Sequence, residues 1–156
     1  MTLFAALYDW LVLGHILAAM VWVGGGVAVL AQSIMTLRGG DPPAVARFVR
    51  SLRVLGPAVL APATIAVLGF GVWLVLDSAS WGFGQTWIVV ALALFAAAFL
   101  TGAVYQSRAA LSAERAVESG DHAEARRQLT RWVYGYALIL ALLLVIAWDM
   151  VFKPGL

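Results

Sequence analysis

The chain has 156 residues, 63% of them hydrophobic and 12% charged, against roughly a quarter charged in soluble domains. That composition points to an integral membrane protein with no separate soluble domain. The absence of cysteine excludes disulfides, thiolate metal sites, iron–sulfur ligation and c-type haem attachment. The net charge of +2, with every Arg outside the apolar runs, fits membrane topology and not nucleic-acid binding.

Met1 to Leu7 lacks a basic stretch and Asp9 follows, so the first apolar run reads as a retained span and not a cleaved signal. It covers about 7–31, with a continuation toward Leu37, and Arg38-Gly39-Gly40-Asp41-Pro42-Pro43 stops it. From 44 to 55, Val45, Phe48, Val49 and Leu52 form one stripe, with Arg47, Arg50 and Arg53 on another side. That pattern predicts a short basic amphipathic helix lying at the headgroups. A second span covers about 57–76, where Pro62 should kink the helix and Gly69 and Gly71 allow a close approach. A third covers about 86–105, and its helical pattern runs on through Arg108 to Glu118. Gly120 then offers a left-handed cap, and Asp121 with Glu124 resembles an N-cap box. The fourth span is about 133–152.

The expected fold is therefore an all-α membrane protein forming a four-helix transmembrane bundle as a single domain over 1–156. Helices three and four should extend as an antiparallel hairpin, with Glu114 and Glu118 facing Arg126 and Arg127 across it. The two connections between spans one and two and between three and four hold all nine Arg, while the other side has only Lys153. The positive-inside rule then puts the hairpin in the cytoplasm and both termini outside.

His15 is the only histidine within a span, and an intramembrane ionisable residue is by default a functional-site candidate. Leu11, Ala18, Ala19, Trp22, Gly25 and Gly26 share its face. Leu68 to Gly71, Phe95 to Phe99 and Leu144 should lie at its depth. Two readings stand side by side. Another helix packs on this small-residue face, with His15 bonding across the seam. Alternatively a porphyrin edge slides over the small residues and the imidazole ligates its iron, in a pocket of His15, Ala19, Trp22, Gly69, Trp73, Phe95 and Phe99. His122, at the hairpin tip, is too far away for a second ligand. Asp9, Asp77 and Asp149 fall at the outer edge. With His15 they would make a metal site, and otherwise they are solvated boundary markers. Trp22, Thr64, Thr101 and Tyr136 share an inner depth, where interhelical hydrogen bonds are expected.

His15 followed by small residues and Trp22-Val23-Gly24-Gly25 resembles the first helix of copper-resistance-D-like (CopD) membrane proteins. The Tyr8-Asp9-Trp10 start, the Arg-rich first loop and Gly71-Val72-Trp73-Leu74 make the chain more similar to a bacterial integral-membrane family, domain-of-unknown-function family 2269. The likeness extends to HemJ-type protoporphyrinogen oxidases, thought to bind b-type haem through an intramembrane His. Unlike them, this chain has no Lys or Arg inside a span. The resemblance implies haem b on His15 in a multi-pass protein of the bacterial inner (plasma) membrane, serving electron transfer or ligand sensing, alone or as a homodimer. A cofactor-free subunit or assembly factor of a larger membrane complex is the alternative. A CopD-like transport component for a metal or small solute, with His15 as metal ligand, is the third.

Overall fold

The computed structural model describes residues 3–155, with side chains from Leu7 onward; Met1 and Thr2, part of the leader reading, lie outside them. The described elements are all helical: α1 (Leu3–Gly39), α2 (Pro42–Leu55), α3 (Ala61–Asp77), α4 (Thr86–Leu100), α5 (Ser107–Glu118) and α6 (His122–Phe152). Two π-helical turns, Gly56–Leu60 and Thr101–Gln106, join α2 to α3 and α4 to α5 without a break. Four continuous helices long and apolar enough to cross a membrane result. At about 1.5 Å per residue, α1 measures about 55 Å against a hydrocarbon core of about 30 Å, so it projects well beyond the bilayer.

The expected separate interfacial helix is instead the first part of the second long helix. Pro62 lacks an N–H and its ring crowds the carbonyl four residues back. The wider turn just before it, in which Ala61 N–H donates to the Gly56 carbonyl, accommodates the proline without ending the helix. Kept in line with α3, α2 buries Val45, Phe48, Val49 and Leu52 against α1, α5 and α6. Its apolar stripe thus packs on protein and does not rest on headgroups.

The helices pack in the order α3, α1, α6, α4, each against the next, and α3 and α4 share no seam among the described residues. α6 is the spine. Its buried Leu129, Trp132, Tyr136, Ile139, Leu143 and Ile146 recur at three- and four-residue spacing, the stripe expected of a helix that packs along its whole length. Around the outside, Trp10, Met20, Ile65, Leu76, Leu144 and Val151 are exposed. In water such a surface would aggregate; in a bilayer it meets acyl chains.

The α5–α6 hairpin forms as expected. Gly120 takes φ +75°, Asp121 N–H donates to the Ala116 carbonyl (2.9 Å) and Gly120 N–H to that of Val117 (3.2 Å), a complete Schellman cap. Asp121 Oδ1 then accepts from Glu124 N–H at 2.9 Å, starting α6. Ala109, Ala113, Ala116 and Ala125 are buried where the two helices meet, so the backbones approach closely. The ion pairs differ from expectation. Glu114 accepts from Arg53 of α2 (2.8 Å), and Arg127 pairs with Glu124 on its own helix (2.6 Å). With the stripe of α2 packed on the hairpin, Arg53 reaches Glu114 before any residue of α6 does.

Candidate functional site

Where α3 and α4 stand apart, a groove of about 510 Å³ opens in the half of the bundle nearer the hairpin. Its walls come from all four long helices, through residues such as Trp22, Leu60, Phe99, Ala110, Trp132 and Ile139. That volume lies within the range of about 300–1,000 Å³ typical of small-molecule sites. Both π-helical turns line it, the first with Gly56, Pro57 and Leu60, the second with Gly102, Ala103 and Gln106. Pro62 accounts for the first. In the second, Ser107 N–H donates to the Gly102 carbonyl, and the Thr101 hydroxyl donates to the Ala97 carbonyl (2.8 Å). Hydroxyls that bond back to the ladder bend and loosen a helix. π turns occur frequently at functional sites, and here two converge on one groove.

Few polar side chains line the groove, and two of them are deeply buried. Gln106 is 6% exposed, and both its amide oxygen and its amide nitrogen lack a partner. Tyr136 is 4% exposed with its hydroxyl equally unpartnered, and its ring stacks on Trp132 at 4.9 Å. The Tyr136 hydroxyl lies so close to Gly26 that a Cβ built there would fall 2.6 Å from it. The Thr64 hydroxyl is already committed, donating to the Leu60 carbonyl at 2.8 Å. Arg53 and Glu114, paired at 2.8 Å, also line the groove, Arg53 on the exposed side. Buried polar atoms nearly always find partners, so two orphaned side chains lining one cavity make it the candidate site.

The residues expected to form one pocket around His15 fall into three places. His15 is half-buried, facing Gly71, where a Cβ would stand 3.1 Å from its Cε1. Its Nδ1 is buried without a hydrogen-bond partner. Leu68 to Gly71 do lie at its depth, with Phe70 against Gly14. Phe95 instead meets Trp22, edge to face at 5.6 Å, and stacks with Phe99. The cause is that α4 begins about two turns deeper than the apolar run of α1. Ala19 packs against the core. Gly69 has open space around it, Trp73 is half-exposed, and both sit on the outer side of α3. Leu144 is exposed. Trp22 and Phe99 therefore belong to the groove, and His15 does not line it.

The aspartates do not gather either. Asp9 and Asp77 are exposed, and among the described residues no group of three or more His, Asp or Glu could hold a metal ion. Asp149, expected as a solvated marker, is 1% exposed because it lies three residues beyond Ile146 on the buried stripe of α6.

Sequence reasoning missed Gln106 altogether. The signal was there, since Ala98, Gly102, Gln106, Ala109, Ala113 and Ala116 form a stripe at helical spacing whose other members are all small. A long amide in such a stripe must lie between helices. No curated protein and no solved structure matches the chain. The family of predicted integral membrane proteins DUF2269 matches over residues 9–154, and with nearly the whole chain covered and four membrane-length helices in place, the protein belongs to that family.

Proposed function

We propose that this protein binds a lipid-like molecule bearing a carbonyl-rich head, taken laterally from the bilayer into the groove between α3 and α4. The observation that carries the reading is the pair of orphaned groups, Gln106 and Tyr136, on a 510 Å³ apolar groove flanked by both π turns. The Gln106 amide nitrogen and the Tyr136 hydroxyl are donors, so they suit ligand carbonyls. Trp22, Phe99 and Ile139 would hold a flat or branched apolar body. A quinone-type lipid combines these features in one molecule.

The protein is best read as a binding module of the plasma (inner) membrane, with its Arg-rich end in the cytoplasm and both termini outside. Tryptophan quenching by a decyl-chain benzoquinone tests the binding reading, since Trp22 and Trp132 line the groove. We expect saturable quenching, weakened in Gln106→Leu and Tyr136→Phe. Quenching that rises linearly, identically in all three proteins, would overturn it.

A second reading, haem b on His15, draws support from the unpartnered Nδ1. Against it, the ring is already in contact with Gly71, and a macrocycle at this seam would require α1 and α3 to part. The visible spectrum of protein expressed with supplied haem decides. The groove reading expects no Soret band, whereas a band abolished by His15→Ala would establish the haem site.

A further inference from the structure

Asp149 lies within one turn of the end of α6, 1% exposed, and neither carboxylate oxygen has a hydrogen-bond partner. It takes part in none of the three ion pairs among the described residues. An unpaired carboxylate in such surroundings is costly enough that the group must hold a proton or gain a counter-charge.

Few groups can serve it. α4, packed against this part of α6, has no titratable side chain between Thr86 and Leu100. α1 brings His15, with Tyr8 and Asp9 nearer its start. Taking the Gly26–Tyr136 contact as a fixed level, His15 lies about 16 Å and Asp149 about 20 Å beyond it at 1.5 Å per residue. On its own helix the neighbour is Lys153, the only lysine in the chain.

Lys153 leaves α6 in a left-handed conformation, φ +43° and ψ +61°, the one non-glycine residue at positive φ among those described. Its N–H still donates to the Asp149 carbonyl at 2.8 Å. The turn carries the ammonium over Trp81, 4.6 Å from the ring centroid, and 5.8 Å from that of Trp87. A strained backbone persists where surrounding contacts over-determine it, and the cation–π contact is such a hold. Lys153 already stands at i+4 from Asp149, the spacing at which opposite charges meet on a helix, and its left-handed backbone turns the ammonium toward the tryptophans instead. The ammonium therefore has two alternative partners, the tryptophan rings it rests on and the Asp149 carboxylate.

We propose that Asp149 is a proton-binding site at the end of the membrane domain opposite the hairpin, and that Lys153 is its latch. With Asp149 protonated, the ammonium rests on Trp81 and Trp87. When the proton passes from the Asp149 oxygen to water, the ammonium turns in to pair with the carboxylate.

The single lysine makes the latch readable. In the full chain in lipid nanodiscs, labelled with lysine carrying 13C at Cε, the ring current of Trp81 should displace the Lys153 CH₂ resonance upfield. Raising the pH, while staying below the ionisation of lysine at about 10, should move it downfield in one transition. Asp149→Asn should hold it upfield throughout, and His15→Gln should leave the transition in place. Trp81→Leu should shrink the upfield displacement. The proposal is overturned by a wild-type resonance that does not move with pH, by a transition that survives Asp149→Asn, or by one abolished by His15→Gln. If the Asn variant does not fold, an undiminished upfield position in Trp81→Leu overturns it independently.

Discussion

Gln106 and Tyr136 owe their importance to what they lack. A buried amide and a buried phenol without partners each forgo a hydrogen bond whose net worth is about 0.5–1.5 kcal/mol, a cost that a ligand can remove. Gln106→Leu and Tyr136→Phe should each weaken benzoquinone binding by roughly two- to tenfold, read as a shift in the quenching isotherm. Neither change should unfold the protein, because replacing an unsatisfied polar group by an apolar one of similar shape is close to neutral or stabilising. Residue-scale features were only partly legible in the sequence. His15 was visible as an isolated imidazole and Leu68 to Gly71 were legible as its neighbours in depth, whereas the contact of its ring with Gly71 in particular required the α1–α3 register. Asp149 looked like a solvated helix-end marker because, like Asp9 and Asp77, it falls at the outer edge of a span. Its place on the α6 stripe, in step with Ile139, Leu143 and Ile146, shows that it faces inward.

At the scale of elements, the hairpin is held by small residues more than by charge. The Arg53–Glu114 pair, with Arg53 largely exposed, is worth about 0–1 kcal/mol. Ala113, 1% exposed in the α5–α6 contact, leaves no room for a larger side chain. Ala113→Leu should cost about 1–3 kcal/mol by overpacking, measured as a lower unfolding midpoint in detergent. Glu114→Gln should move that midpoint far less. The hairpin, its turn at Gly120 and the Asp121 cap were legible because cap chemistry is local. The continuity of α2 with α3 was not. The short helix read as ending before Pro57, and Pro62 as a kink in the next, whereas the chain stays helical through the π turn with the α2 stripe packed on α1, α5 and α6.

Over the whole molecule, four long helices packed in the order α3, α1, α6, α4 leave one flank of the bundle open. The groove lies on that open flank, which could not be read from span counting, since all four spans are strongly apolar. The α2, α5 and α6 segments that carry most of the Arg residues pack together at the hairpin end, while Lys153 stands alone at the other. With no native cysteine to remove, single cysteines report orientation directly. A membrane-impermeant maleimide applied to intact cells should label Ser80→Cys and not Ser119→Cys, and the opposite pattern would invert the proposed topology.

The groove itself is tested most directly by native mass spectrometry of the protein released from mild detergent after incubation with decyl-chain benzoquinone. The account predicts a one-to-one adduct on the wild-type chain that is lost or strongly reduced when Gln106→Leu and Tyr136→Phe are combined. An adduct retained undiminished by the folded double variant, or no adduct on the wild-type chain at saturating quinone, would contradict it.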